Sequence, residues 1–206
     1  ITSEFAKNKN NEVVWWTSNF QHHNKKFLNN KKYFFEEKEE NIETKYLGST
    51  GYKNNISISR ILDHVLIAKN FKKKSKMATV PDVIICSWPP IELAYEAFKY
   101  AQNENIPFVL DVRDFWPDVI YDTFNNNFIL KYLINIFFNY ENKMKQCIQN
   151  ADGIVSVSEK VLTWALSRSG RNREKPNHIS NLSSVNLSEI SFQNYGVEKK
   201  FNDIGV

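Results

Sequence analysis

The chain has 206 residues, of which 42% are hydrophobic and 24% charged, and its 27 lysines and arginines outnumber its 23 aspartates and glutamates to give a net charge of +4. This length and composition indicate a globular protein with one sizeable core and exclude a disordered or fibrous chain. Two cysteines 61 positions apart, Cys86 and Cys147, exclude a disulfide scaffold and a zinc module. The longest apolar stretch, around residues 128–138, is too short and too interrupted to span a bilayer.

The positive charge lies mostly in short lysine runs, of which Lys72-Lys73-Lys74 is the longest. A solvated surface is the simplest interpretation of such runs, and contact with an anionic membrane face or a phosphorylated substrate is the alternative. A net charge of +4 is small for a surface that follows a phosphate backbone, and no nucleic-acid-binding motif is present. We therefore expect no nucleic-acid partner.

In chain order, short β-branched or aromatic runs alternate with longer amphipathic stretches. Strands are predicted over residues 12–16, 44–47, 82–86, 107–112 and 153–157. Helices are predicted from about residue 55 to the lysine run, after Pro89-Pro90, over 127–149, and from a Ser158 cap to a Gly170 stop. This alternation predicts βαβ units, and hence an α/β fold with a Rossmann-like, doubly wound parallel sheet.

The stretch 127–149 differs from the other predicted helices. Its polar residues form one narrow stripe, and apolar side chains such as Leu133 and Phe137 cover the rest of the circumference. A helix of this kind is either buried on several sides or meets a nonpolar partner. Burial against the sheet and insertion into a membrane interface are the two interpretations.

Both ends of the sequence look incomplete for this fold. Residues 1–7 read as the end of a helix, and no candidate precedes them for the central strand with which a doubly wound sheet normally starts. Residues 181–206 are rich in serine and asparagine and have weak periodicity. We expect residues 1–180 to form one domain that lacks its first strand, and residues 181–206 to be a linker.

Ligands of open parallel sheets bind beyond the carboxyl ends of the strands. Five segments occupy such positions: 17–20, 48–52, 87–90, 113–118 and 158–159. Each alone can be explained by turn chemistry, since Ser and Asp cap helices and Pro fixes backbone direction. Their convergence on one edge predicts a pocket there.

The densest polar feature follows the fourth predicted strand. Asp111, Arg113, Asp114 and Asp118 lie within eight residues. Arginine can bind a phosphate or carboxylate in a bidentate manner, and an aspartate can accept a hydroxyl proton. An internal Arg–Asp pair that stiffens the turn is the alternative. The four histidines show no metal-ligand spacing and are interpreted as structural or exposed.

Several of these segments resemble one family. The run 11–20, NEVVWWTSNF, resembles the GHEVTWWTSNF stretch of bacterial family-4 glycosyltransferases that build surface polysaccharides, with Asn11 where that pattern has Gly. Segments 48–54, 87–90, 111–118 and 151–159 resemble further motifs of the family in the same order. The similarity covers nearly the whole chain and is weakest over residues 24–43 and the last 25.

The resemblance implies the amino-terminal, acceptor-binding half of a GT-B enzyme. Such an enzyme transfers a sugar from a nucleotide-sugar donor to a glycan acceptor, commonly lipid-linked, with retention of configuration and without a metal ion or other cofactor. The donor-binding half with its E-x7-E motif is absent from this sequence, so a fragment is expected to be inactive alone. The implied location is cytoplasmic and peripheral, on the inner face of the plasma membrane, which the lysine runs and the apolar helix also fit.

The resemblance also suggests which residues form the site. Arg113 and Asp114 are the expected catalytic groups, although many family members have a histidine where this chain places Arg113. The expected substrate-binding residues are those of the remaining motif segments: Ser49, Thr50, Gly51, Tyr52, Ser87, Trp88, Pro89, Trp116, Asp118, Ser158 and Glu159.

Three functional interpretations remain open at this point. The chain can be part of such an enzyme, with the second domain elsewhere in the same polypeptide. It can instead be a non-catalytic subunit of a split transferase, which recruits the acceptor and the membrane. The third interpretation is another Rossmann-like or GT-B protein, such as a sugar-nucleotide epimerase.

Overall fold

A computed structural model describes residues 2–30, 32–55, 57–123, 128–172 and 174–180. The strands in this part of the chain are β1 (Val13–Ser18), β2 (Phe20–Gln21), β3 (Lys26–Phe27), β4 (Phe35–Glu39), β5 (Ile42–Leu47), β6 (Ile84–Trp88), β7 (Phe108–Val112), β8 (Gly153–Ser156) and β9 (Asn177–Ile179). The α-helices are α1 (Thr2–Ala6), α2 (Ile58–Ser75), α3 (Ile91–Glu104), α4 (Asp118–Thr123), α5 (Phe128–Phe138), α6 (Tyr140–Asn150) and α7 (Glu159–Ser169).

The main strands form two sheets. One is four-stranded and entirely parallel, in the order β6-β7-β8-β9, and its first pair runs in register from Ile84 opposite Phe108 to Trp88 opposite Val112. The other has the order β4-β5-β1, with β1 parallel and β4 antiparallel to β5. The predicted α/β fold with a parallel sheet is therefore confirmed, and it is compatible with a Rossmann-like fold. The described strands divide between these two sheets and a separate antiparallel pair, β2 and β3.

The helices α2, α3, α6 and α7 pack side by side in that order. They cover the face of the four-stranded sheet that carries Trp88, Leu110 and Ile154, which are buried in the core. The pleat of β6 puts Ile85 and Ser87 on the opposite face, and both are exposed among the described residues. The core therefore lies between the sheet and one row of helices.

Most predicted elements are confirmed with boundaries shifted by one or two residues. The predicted cap and stop of α7 are present: the Ser158 side chain accepts a hydrogen bond from the Val161 amide, and Gly170 takes a left-handed conformation at φ 71°. Strand β4 was not predicted. Its sequence, FEEKE, is mostly charged because one edge of β4 is unpaired and its side chains are largely exposed.

The prediction of a single helix over residues 127–149 is wrong. The chain forms two helices, α5 and α6, because Asn139 between them has a left-handed backbone with φ 51°. Asparagine is one of the few residues that adopt this conformation readily. Residue 127 lies outside the described residues, as does the predicted linker 181–206.

Burial also fails to account for the apolar surface of α5. Five of its large apolar side chains are at least 40% exposed: Ile129, Tyr132, Leu133, Ile136 and Phe137. In the described ranges, no helix combines the length and apolarity required to cross a membrane. Helix α5 therefore presents these five side chains to the surroundings.

The two cysteines are free thiols buried in the core. Burial, followed by the nearby Asp111 carboxylate, raises the pKa of Cys86 to about 12. The thiol of Cys147 is also buried, which raises its pKa. Both cysteines therefore act as packing residues in this fold.

The cap of α7 gives a test of the assignment of Ser158. Replacing a capping serine by alanine costs about 1 kcal/mol, because an amide in the first helical turn loses its partner. We expect Ser158→Ala to lower the free energy of unfolding by this amount and Ser158→Asp, which can accept the same bond, to restore it. Urea unfolding followed by circular dichroism measures both, and an equal loss in the two variants would contradict a capping role.

Candidate functional site

A cavity of about 170 Å³ lies at the carboxyl ends of β1 and β6. Strand β1 contributes its last residue, Ser18, and Pro89 and Pro90 directly follow β6. Ligands of open α/β sheets bind beyond the carboxyl ends of the strands, and here the two strands belong to different sheets. The complete lining is Ser18, Phe20, His22, Tyr52, Arg60, Asp63, His64, Ile67, Pro89 and Pro90.

The first turns of α2 form one wall of this cavity. Arg60, Asp63, His64 and Ile67 follow the spacing of one helical face. The helix starts at the cavity because Ser57 caps it, its hydroxyl accepting a hydrogen bond from the Arg60 amide at 3.2 Å. Three polar side chains thus occupy a helix face that also carries the apolar Ile67.

Asp63 fixes the loop that follows β5. Its Oδ1 accepts hydrogen bonds from the Ser49 hydroxyl at 2.6 Å, the Thr50 amide at 2.6 Å, the Thr50 hydroxyl at 2.9 Å and the Gly51 amide at 3.1 Å. Three loop residues that were predicted to bind substrate therefore use these hydroxyl and amide groups in hydrogen bonds to Asp63: Ser49, Thr50 and Gly51. They shape the cavity by holding the loop against α2.

Gly51 is required in this loop for two reasons. Its φ is +70°, and a Cβ atom there would come within 3.0 Å of ring carbons of Phe20 and Phe27. Side chains other than hydrogen are strained at such a φ. The glycine therefore lets the loop approach the aromatic side of the cavity and places the next residue, Tyr52, in its lining.

Tyr52 lies between two cationic side chains, Arg60 in the cavity lining and Lys25 outside it. Its hydroxyl lies 2.7 Å from His22 Nδ1, and its ring centroid is 4.6 Å from Lys25 Nζ and 5.5 Å from the Arg60 guanidinium carbon. Burial lowers the pKa of His22, and the charges of Lys25 and Arg60 lower it further. His22 is therefore held in its neutral form beside two permanent positive charges.

His64 lies beneath Arg60 and is 4% exposed. Its Nε2 accepts a hydrogen bond from Arg60 Nε at 3.4 Å, which leaves the ring proton on Nδ1. Burial, and then the charge of Arg60, lowers the pKa of His64 to about 3. The imidazole is therefore neutral at physiological pH.

Glu92 faces His64 from the start of α3. Its Oε2 lies 3.8 Å from His64 Nδ1, and its Oε1 accepts a hydrogen bond of 2.6 Å from the Tyr140 hydroxyl. Burial raises the pKa of Glu92, while the bond from Tyr140 opposes that effect. Nδ1 of His64 and Oε2 of Glu92 are both buried and have no closer hydrogen-bond partner among the described residues.

Arg113 and Asp114 do not line the cavity. The Arg113 guanidinium binds Asp111 Oδ2 through Nε at 2.7 Å and Nη2 at 2.6 Å, which is the internal pair that the sequence allowed. Asp114 Oδ1 accepts a hydrogen bond from the Phe115 amide at 2.8 Å. Ser87 lies on the neighbouring strand opposite Asp111, on the exposed sheet face. These residues form a second polar group, and their predicted roles stay predictions.

Trp88 and Trp116, the two tryptophans among the predicted site residues, connect the ends of β6 and β7 beneath the cavity. Trp88 is fully buried, and its indole Nε1 donates a hydrogen bond of 3.0 Å to the carbonyl of Trp116. The centroid of the Trp116 ring lies 5.5 Å from the centroid of the His64 ring. The guanidinium carbon of Arg60 lies 4.7 Å from the same Trp116 centroid. Both tryptophans support the residues of the lining, and Pro89 belongs to the lining itself.

The remaining predicted site residues make structural contacts away from the cavity lining. Asp118 accepts hydrogen bonds from Trp164 Nε1 and Arg168 Nη2, both at 2.7 Å. Ser158 caps α7, and the exposed Glu159 accepts a hydrogen bond from the Thr163 hydroxyl at 3.4 Å. Of the eleven predicted substrate-binding residues, Tyr52 and Pro89 therefore line the cavity.

The sequence interpretation missed the α2 side of the site, and it assigned the histidines no role there. His22 and His64 both line the cavity, with Arg60 and Asp63 beside them. One signal was available: Asp63 and His64 occupy positions on the apolar face of an amphipathic helix, where a charged or polar residue needs a partner. That partner is far away in sequence, as Glu92 is for His64.

No protein-family model matches the chain, and the curated proteins contain no significant match to it. Within the ranges that the structure describes, His, Cys, Asp and Glu side chains form no group of three or more that could hold a metal ion. The geometry of the cavity and of the second polar group is therefore the basis for a functional proposal.

The low pKa of His64 predicts acid sensitivity. Because the unfolded chain binds a proton on this histidine near pH 6.5 and the native protein only near pH 3, stability falls as the pH drops through this range. Between pH 7 and pH 4.5 this effect reaches about 2.5 kcal/mol. Between these two pH values, the free energy of unfolding of His64→Gln should fall less than that of the wild type, and the difference should be about this amount. Urea unfolding at pH 7 and at pH 4.5 measures both. His178→Gln, at an exposed histidine, is the control, and identical pH dependence in all three proteins would contradict the prediction.

Proposed function

We propose that this chain is the acceptor-binding domain of a retaining glycosyltransferase, which transfers a sugar from a nucleotide sugar to a lipid-linked glycan in surface-polysaccharide synthesis. One observation carries the proposal: three of the family-like segments, 17–20, 48–52 and 87–90, contribute to one cavity at the carboxyl ends of parallel strands. These segments are distant in sequence. A fold that brings them together supports a shared binding role for them.

The chemistry of the cavity suits part of a sugar-containing ligand. Ser18, His22 and Tyr52 offer groups that can exchange hydrogen bonds with sugar hydroxyls. Phe20, Ile67 and the two prolines supply the apolar surface that a small-molecule site normally has. A volume of about 170 Å³ is below the roughly 300–1,000 Å³ of pockets that enclose a drug-sized ligand. It therefore suits one sugar ring or one phosphate group of a larger substrate.

Arg113 and Asp114 remain the proposed catalytic groups. The Arg113 side chain is 43% exposed at the end of β7, the strand next to β6. Its partner Asp111 is buried, so the pair holds a guanidinium at the surface in a fixed direction. In the proposed enzyme this surface faces the nucleotide-sugar donor, which a second domain binds.

The proposed acceptor is lipid-linked, and α5 supports a peripheral position at a membrane. The exposed side chains of Ile129, Tyr132, Ile136 and Phe137 give α5 the apolar surface of an interfacial helix. The helix ends next to Tyr140, whose hydroxyl binds Glu92 near the cavity. The same surface also fits a membrane-recruiting subunit of a split transferase.

The lysine run lies at the end of α2 that is distant from the cavity. Helix α2 starts at the cavity, and Lys72-Lys73-Lys74 occupies its last turn, about 20 Å from Arg60 at 1.5 Å per residue. Lys72 lies 3.6 Å from Glu96, and Lys74 stacks over the Phe34 ring at 4.1 Å. The lysine run is therefore partly engaged by other side chains, and α5, with its five exposed apolar side chains, is the better candidate for the membrane contact.

The proposed function predicts selective binding of an acceptor. Saturation-transfer NMR with a panel of farnesyl-diphosphate-linked monosaccharides should show sugar protons of at least one member in contact with the chain. We expect Tyr52→Ala to weaken that binding about tenfold, because the cavity loses its central aromatic side chain. Lys53→Ala, at the exposed neighbouring residue, should bind as the wild type does.

The same measurement separates the alternatives. Binding of uridine diphosphate-glucose by the chain alone, without binding of any lipid-linked sugar, would favour another Rossmann-like protein such as a sugar-nucleotide epimerase. A separate donor-binding polypeptide that co-purifies with the chain and restores sugar transfer would instead favour a split transferase.

The membrane contact predicts an effect of α5 that the lysine run does not share. Ile136→Glu with Phe137→Glu should weaken binding to phosphatidylethanolamine–phosphatidylglycerol vesicles about tenfold, because charged groups replace exposed apolar ones. Lys73→Glu changes the net charge by the same amount and is the matched control. A larger loss with Lys73→Glu in a sedimentation assay would contradict the assignment of the contact to α5.

A further inference from the structure

Two positive side chains, Arg60 in the cavity lining and Lys25 beside the lining residue Tyr52, have no carboxylate partner among the described residues. Arg60 Nη1 donates to the backbone carbonyl of Asn55 at 2.5 Å, and Lys25 Nζ donates to the side-chain carbonyl of the same residue at 2.6 Å. Among the described residues, neither side chain forms an ion pair. Two like charges that contact the same two residues, Asn55 and Tyr52, favour an anion between or beside them.

The nearest carboxylate does not neutralise them. Asp63 lines the cavity, yet it is 1% exposed, and its Oδ1 already accepts four hydrogen bonds from residues 49–51. Four donors compensate the charge of a buried carboxylate. The positive charge of Arg60 and Lys25 thus remains available to a ligand.

The guanidinium of Arg60 is held from below by a buried chain of polar groups. Tyr140 donates to Glu92, Glu92 faces His64 Nδ1 at 3.8 Å, and His64 Nε2 accepts from Arg60 Nε at 3.4 Å. Because Arg60 takes the Nε2 lone pair, the ring proton lies on Nδ1 and is directed toward Glu92. The orientation of Arg60 therefore depends on groups that do not line the cavity.

We propose that Arg60 and Lys25 bind a phosphate group of the substrate at this cavity, and that Glu92, acting through His64, is a positioning residue for Arg60. The inference deepens the proposed function, on which it rests for the identity of the substrate. The phosphate belongs either to the diphosphate of the lipid-linked acceptor or to the diphosphate of the nucleotide sugar. Both sources offer the oxygen atoms that a guanidinium binds in a bidentate manner.

Isothermal titration calorimetry with inorganic pyrophosphate tests the site itself. We expect the wild type to bind, Arg60→Gln to bind at least about tenfold more weakly, and Lys25→Gln to show a smaller loss. Lys53→Gln removes a nearby exposed charge and should bind as the wild type does. No pyrophosphate binding by the wild type, or an equal loss in Arg60→Gln and Lys53→Gln, would overturn the proposal.

A double-mutant cycle tests the positioning role. Glu92→Gln in the wild-type background should weaken pyrophosphate binding about threefold, because His64 then loses the carboxylate that orients it. In the Arg60→Lys background the same change should have no further effect, since an ammonium group does not need the His64 bond. Purely additive effects would overturn the role of Glu92.

A second variant and a second readout cover the case in which Glu92→Gln destabilises the protein. Tyr140→Phe removes the hydroxyl that holds Glu92 and should weaken pyrophosphate binding in the same direction. Long-range ¹H–¹⁵N NMR of His64 should show the proton on Nδ1 in the wild type and a shifted tautomer ratio in Glu92→Gln or Tyr140→Phe. A proton on Nε2 of His64 in the wild type would overturn the proposed positioning of Arg60 by Glu92 through His64.

Two further titrations identify the source of the phosphate. Tighter binding of farnesyl diphosphate than of uridine diphosphate assigns the site to the acceptor, and the reverse order assigns it to the donor; either result supports the phosphate site. If pyrophosphate binds and no lipid-linked sugar does, the phosphate site stands and the proposed acceptor function fails. If lipid-linked sugars bind equally well to Arg60→Gln, the acceptor function stands and the phosphate site fails.

Discussion

The position of the site depends on one buried carboxylate, that of Asp63. A charge in the protein interior is costly unless donors surround it, and here four donors from three consecutive residues converge on a single oxygen. These bonds tie the loop after β5 to the second turn of α2. Because α2 carries Arg60 and His64, the same bonds set where those two side chains stand relative to the strand ends.

A second connection joins the ends of β6 and β7 to the same helix. The indole of Trp88 binds the Trp116 carbonyl, and the Trp116 ring packs against His64 and Arg60. Three strand ends are therefore fastened to the first turns of one helix by buried contacts. A site built in this way is largely formed before any ligand arrives, so less binding energy is lost in ordering side chains.

The elements were predictable from the sequence to the extent that they follow local periodicity. The short apolar runs of β6 and β7, and the amphipathic pattern and end signals of the capped helix α7, predict these elements, and the structure confirms them. The break at Asn139 was not predictable from periodicity, because the apolar pattern continues across it and a single left-handed residue decides it. The division into two sheets depends on pairing between distant strands, which no local pattern specifies.

The site was harder to predict, because its polar groups find partners across large sequence separations. Arg113 and Asp114 stood out as a dense local cluster, and the structure shows that the density reflects a pair between Arg113 and Asp111. By contrast, His64 and Glu92 each look isolated in the sequence, on helices whose buried positions are mostly apolar. A polar residue at a core position breaks the pattern of its helix, and such local conflicts tend to occur at functional sites. His64 and Glu92 are two such residues, and they face each other across 3.8 Å. This pairing is visible only in three dimensions, and through it both residues contribute to holding Arg60.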